Sequence, residues 1–272
     1  MRYSFIVAEG VHDIEFLAQI LKSYSLKRIT KSTDRDPYWK DIVPKTVPIN
    51  DDLKQLNDNL KQRVQVPTFF QNNELSVALH NAGGESQLVK IVSQNLSILP
   101  VTPAISGIGV ILDADTKDSP DTRFESRLDE LRKELNKSEL TQLQSSLPSS
   151  PGVVTKGSVR CGIFVIPDNS SQGTLEDILI ECAEKNYADL LKQSRDYIDN
   201  INESLLTKED LKEFHQSAGK NKALLSSITS ILKPTKSLAV SLQDNRWIDK
   251  ETLKLDRIAL IRDFVGEIIG AL

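Results

Sequence analysis

Apolar positions along this chain alternate between two periods for its first two-thirds and then settle into one. Residues 3–8 form a short apolar run closed by Glu9-Gly10. From Val11 the period turns helical, with Ile14, Leu17, Ala18, Leu21 and Tyr24 on one face. Asp13 falls in that helix's first turn, where negative charge suits the helix dipole. Strand, acidic-glycine turn and helix together open an α/β unit. The succession recurs with a strand at 74–79, a turn from His80 through Gly83 and Gly84, and a helix at 85–96 with Leu88, Val89, Val92 and Leu96 inward. A third strand at 108–112 runs out into Asp113-Ala114-Asp115, ahead of an amphipathic helix at 124–135. A fourth, at 161–166, ends in Pro167-Asp168-Asn169. After Gln172-Gly173-Thr174 a helix begins with Glu176 and Asp177 in its first turn.

From Glu184 onward the pattern is mainly helical, broken by Pro234 and by Asp244-Asn245. The alternation predicts an α/β fold: a mostly parallel sheet flanked by helices, with a helical C-terminal extension. We expect residues 1–183 to form the α/β domain and 184–272 to pack on it as a cover. The stretch 27–73 differs in character. It holds four prolines, with basic residues interleaved around Tyr38 and Trp39, and a helical piece at 51–63. It reads as an insertion over one end of the sheet. Its composition suits contact with nucleic acid, but the preferred and plainer reading is a solvated loop with two packed aromatics.

Charge changes this picture little. Charged residues make up 26% of the chain and the formal net charge is −4, so nucleic acid would need a local basic patch. Cys161 and Cys182 are the only cysteines, neither at metal-ligand spacing, and both read as small buried hydrophobes. That usage suits a reducing cytoplasm. No apolar run reaches the roughly 20 residues of a membrane span, and the first residues lack the apolar length of a signal peptide.

Candidate chemistry collects at strand ends: Glu9 after the first, Asp113 and Asp115 after the third, Asp168 after the fourth, with Asp13 and Glu176 at nearby helix starts. In a parallel sheet these share one edge, the edge where open α/β sheets bind ligands. So many carboxylates repel unless a cation neutralises them. Oxygen donors without a histidine or cysteine cluster point to Mg2+ or Mn2+. Each acid also has a structural reading, since aspartates form turns and acidic residues favour helix N-termini. Gly10, Gly83 and Gly84 can let backbone approach a phosphate or simply make tight turns. Lys222 can contact substrate or sit in a solvated loop.

Glu9-Gly10 with Asp13, followed by Asp113-Ala114-Asp115 on a later apolar strand, resembles the Toprim signature of topoisomerases, DnaG-type primases and OLD-family nucleases. The fuller pattern is similar to the Toprim-like DUF3226 group. It adds Val66 to Phe70, His80 to Gly84, Ile166-Pro167-Asp168-Asn169 and Gly173-Thr174-Leu175-Glu176-Asp177. The resemblance implies a parallel-sheet fold and a magnesium-dependent nuclease. Glu9 would do acid/base work, Asp113 and Asp115 would hold metal, and Asp13 and Glu176 would serve a second ion. Gly10, Gly83, Gly84, Asp168 and Lys222 are expected substrate contacts, and the partner is DNA or RNA, with a homodimer left open. A non-catalytic nucleic-acid- or protein-binding module is the alternative. No Gly-x-x-x-x-Gly-Lys-Ser/Thr motif is present, so ATP-driven action is not expected. A haloacid-dehalogenase-type phosphatase would need Thr or Val where Lys117 stands. A metal-diphosphate sugar transferase would leave the Glu9-Gly10 turn unexplained.

Overall fold

The computed structural model describes residues 1–43, 66–100, 104–114, 119–137, 141–157 and 159–272. The helix expected at 51–63 and the metal candidate Asp115 lie outside these residues. Among these described residues six strands form one sheet in the order β2-β3-β4-β1-β5-β6. They are β1 (Arg2–Ala8), β2 (Lys27–Arg28), β3 (Thr68–Gln71), β4 (Leu75–Asn81), β5 (Gly107–Asp113) and β6 (Arg160–Ile166). β4, β1, β5 and β6 are parallel, matching the four strands expected from the apolar runs. β3 pairs antiparallel with β4, and β2 antiparallel with β3. Both ends of the 27–73 stretch therefore belong to the sheet itself. Their signal is weak for a physical reason: β2 has two residues, and β3 is a four-residue run entered just after Pro67, an edge-type arrangement.

The pleat sorts side chains onto two faces. Ile6 and Ala8 of β1, Ile111 of β5, and Phe164 and Ile166 of β6 join one core. Phe5 and Val7, Ile108, Val110 and Leu112, with Cys161, Ile163 and Val165, join the other. Burying each large side chain contributes roughly 1.5–3 kcal/mol. The second core is closed by α2 (Leu88–Ile98) and α3 (Pro120–Lys137) and by Tyr38 and Trp39. Trp39 is fully buried with its indole N–H donated to Ser76 Oγ at 2.8 Å, and Tyr38 stacks on Tyr3. Tyr38 and Trp39 are thus packing residues.

The first core is closed by α1 (Val11–Ser23), α4 (Leu175–Asn186), α5 (Ala188–Asp199), α6 (Gly219–Leu232), α7 (Leu238–Asp244) and α8 (Asp256–Ile269). α8 lies directly on β1, β5 and β6. Its approach depends on small residues beneath it. A Cβ on Gly107 would stand 2.1 Å from the Ile268 carbonyl oxygen, and one on Gly162 would stand 2.6 Å from the Phe264 ring. Cys161 and Cys182 are buried free thiols. Among the described residues no helix is long and apolar enough to cross a membrane.

Candidate active site

Strand register builds the first contact. Ala8 of β1 pairs with Ile111 of β5, so the residues that follow leave the sheet side by side. Glu9 Oε1 accepts the backbone N–H of Asp113 at 3.1 Å. On the other flank the Ala114 N–H donates to the Ile166 carbonyl at 2.8 Å, prolonging the β5–β6 pairing past Asp113. At the start of α1, the Asp13 carboxylate accepts the Gly10 N–H at 2.7 Å, the reach-back bond of a helix N-terminus.

The loop from β6 to α4 supplies the second wall. Asn169 folds back so that its Oδ1 accepts the Val165 N–H, and Asp177 Oδ2 accepts the Thr174 N–H at 2.8 Å. Gly173 has φ +146°, and a Cβ there would meet Asp177 Oδ2 at 2.8 Å, so both conformation and space call for glycine. This turn aims the first peptide of α4 at the site: Leu175 N–H donates to Asp113 Oδ1 at 3.0 Å. The positive end of a helix therefore faces Asp113. Glu176, the next residue, is buried.

Electrostatics show that these acids act on one another. Burial raises the Asp113 carboxyl well above its ordinary range, and the charges of Asp13, Glu9 and Glu176 add to it against the single Leu175 N–H. Burial pushes Asp13 up to about 7, opposed by the Gly10 N–H and reinforced by Glu9 and Glu176. Glu9 is raised too, again first by burial, with Arg123 and Arg127 pulling the other way. Burial lowers the His12 imidazole, Glu176 opposes that and Lys222 adds to it, so His12 lies within reach of both charges. Four acids from three chain segments thus share one edge.

A cleft of about 440 Å³ opens over Glu9 and Asp113, with Glu85, Arg123, Phe214 and Lys222 also in its walls. Glu85 Oε1 takes Arg123 Nη1 at 2.7 Å and Arg127 Nη2 at 2.6 Å, and Arg123 Nε donates to the Asp113 carbonyl at 3.2 Å. α3 thereby brings cations to the strand end that carries the acids. The far wall comes from the chain entering α6, tied to α4 by Asn221 Nδ2 donating to Asp177 Oδ1 at 2.8 Å.

A family model described as a protein of unknown function, DUF3226, matches residues 3–260. The chain belongs to the DUF3226 family. No curated protein matches its sequence. The crystal structure of a hypothetical protein from Pyrococcus horikoshii OT3 is similar over 98% of this chain and 95% of that one, with 15% identity and a TM-score of 0.53. At that identity the likeness shows a shared fold.

In this DUF3226 protein the remaining sequence candidates go elsewhere. Asp168, expected as a substrate contact, is a structural clasp. Its Oδ1 accepts from the Ser170 and Ser171 backbone and the Ser170 hydroxyl, and its Oδ2 takes Arg257 Nε at 3.0 Å. Burial works against its charge, but the hydrogen bonds from Ser171 and Ser170 outweigh it and hold the carboxyl down at about 2. Gly83 and Gly84 take φ of +75° and +131° in the turn after β4, where the Gly84 N–H donates to the Glu9 carbonyl. They shape the site through its backbone and do not line the cleft. His80 is buried in β4, bonded to the Asn81 carbonyl. Sequence reasoning missed Glu85, Arg123, Arg127 and Phe214. The only signal for the arginines was two cations one helical turn apart, just past the acidic strand end.

Among the described residues no group of three or more His, Cys, Asp or Glu side chains already stands arranged around a common ion position. The donor chemistry nevertheless fits a hard divalent cation. Every candidate ligand is a carboxylate oxygen, and the charges acting most strongly on Asp113 are negative.

Proposed function

We propose that this protein is a Toprim-type nuclease, dependent on Mg2+ or Mn2+, that hydrolyses nucleic-acid phosphodiester bonds. One observation carries the reading: Glu9, Asp13, Asp113 and Glu176 gather at the carboxyl edge of a parallel sheet, where burial raises the carboxyls of Glu9, Asp13 and Asp113 and the neighbouring acids add to the rise in Asp13 and Asp113. Repulsion of that kind is maintained in a fold where a ligand relieves it.

Asp113 and Asp115, with Glu9, would hold one ion, and Asp13 with Glu176 a second. A bound divalent cation supplies Lewis-acid stabilisation of the charge that develops on a scissile phosphate. Glu9 is raised above its ordinary value by burial, which suits a group that gives a proton to a leaving oxygen or takes one from a nucleophile. The Leu175 N–H fixes Asp113 in place, and Arg123 holds the same strand end through its carbonyl. Lys222 in the opposite wall balances phosphate charge.

The test is incubation of purified protein with supercoiled plasmid and with RNA, with and without Mg2+ or Mn2+. Metal-dependent cleavage lost in Glu9→Gln and Asp113→Asn supports the reading, and cleavage retained in both overturns it. A second reading is a non-catalytic binding module. Metal-independent binding of nucleic acid without cleavage would establish it.

A further inference from the structure

The chain entering α6 carries a feature that the acidic cluster leaves unexplained. Phe214 is half-buried, lines the cleft opposite Asp113, and belongs to neither apolar core. Every other phenylalanine of the chain is buried in one core or the other. Phe214 is also held in place. Gly219 packs so tightly behind it that a Cβ there would stand 2.4 Å from the Phe214 carbonyl oxygen. His215 meets the ring edge-on at 5.7 Å and is itself paired with Glu203 at 3.2 Å. Lys220 Nζ stands 5.6 Å from the ring centroid, and Lys222 lies a half-turn further along in the same wall.

An aromatic ring outside the two cores, with Lys220 over one face and Lys222 elsewhere in the cleft lining, combines a π-face for a base with charge for its phosphate. We propose that Phe214 stacks on an unpaired base of the strand whose phosphodiester lies at Asp113, which makes single-stranded nucleic acid the substrate class. This rests on the nuclease reading for where the phosphodiester sits. A paired base inside a duplex has both faces covered by its neighbours, and only an unstacked one can offer a face to a side chain. The cleft volume of about 440 Å³ lies within the range of sites that enclose a small ligand, the scale of a nucleotide.

The experiment is fluorescence anisotropy of a labelled single-stranded oligonucleotide and of the same sequence as a duplex. It compares wild type, Phe214→Leu and Phe214→Trp, with cleavage measured in parallel. The expected result is tighter binding of the single strand, a loss on the order of tenfold or more in Phe214→Leu, and recovery in Phe214→Trp. Leucine keeps the apolar bulk, so loss and rescue together report stacking. Equal binding by wild type and Phe214→Leu, no preference for the single strand, or no binding at all would overturn the inference. Absence of cleavage in wild type would overturn the nuclease reading alone, because binding is read without it.

Discussion

Asp113 and Asp168 end neighbouring parallel strands at the same sheet edge, yet they sit in opposite electrostatic surroundings. Asp168 is met by two serines and by Arg257, which also reaches Glu181 at 2.7 Å, and its carboxyl is held down at about 2. Asp113 is met by one helix N–H and three further acids, and its carboxyl is raised. The fold pairs one strand-end carboxylate directly with an arginine and sets the next among other acids, with Arg123 and Arg127 bonded to Glu85 and Arg123 also to the strand's own carbonyl. A carboxylate with its own arginine holds the structure together. A carboxylate set among other carboxylates leaves room for an incoming cation.

The largest expected consequence is a split between activity and stability. Asp113→Asn should lower metal-dependent cleavage by more than the roughly 10–100-fold that outer-sphere changes at metal sites cost. The melting temperature of the chelated protein should hold or rise, because a buried repulsion is removed. Asp168→Asn should do the reverse, costing about 1.5–3 kcal/mol of stability through lost charged hydrogen bonds while metal-dependent cleavage stays near wild type. Denaturant melts beside plasmid-nicking rates measure both. Loss of cleavage in both variants would erase the contrast.

Arg257→Ala should resemble Asp168→Asn with a smaller stability loss, about 1–2 kcal/mol, since the serine bonds to Asp168 remain. Chemical denaturation at neutral pH reads it. A loss of cleavage in Arg257→Ala would place that arginine in the site and contradict its role as a clasp.

The smallest effect is in pH dependence, where the two regions carry opposite signs. Asp168 has a depressed folded value, so its stabilisation is complete above the unfolded carboxyl value of about 3.9 and is lost as pH falls towards about 2. Asp13 has a raised folded value of about 7, so the chelated folded state holds an extra proton between about 4 and 7 and loses stability as pH rises through that window. Asp13→Asn should flatten the upper window, and Asp168→Asn the acid one. Denaturation midpoints across pH 2–8 check both, and an unchanged upper window in Asp13→Asn would sink the repulsion argument.

Much of this was legible in the sequence. The apolar runs at 3–8, 74–79, 108–112 and 161–166 predicted the four parallel strands, and a parallel sheet brings Glu9, Asp13, Asp113 and Glu176 to one edge. What the sequence hid depends on long-range pairing. Asp168 and Asp113 look alike as strand-end aspartates, and only the return of Arg257, 89 residues later in the chain, separates them. Arg123 and Arg127 read as the polar face of an amphipathic helix until α3 docks beside Glu85. Tyr38 and Trp39 read as packed aromatics in preference to a basic-aromatic surface, and the sheet extending beneath them buries both. Phe214 gives no periodic signal, because its place in the cleft follows from how the chain turns into α6.

The most direct test of the central claim is thermal denaturation of chelated wild type and Asp113→Asn, titrated with Mn2+ or Mg2+. A ligand at a hundred times its dissociation constant stabilises the folded state by about 2.7 kcal/mol. Wild type should therefore melt several degrees higher at saturating metal, and Asp113→Asn should show little or no shift. No shift in wild type, or an equal shift in the variant, would contradict the account.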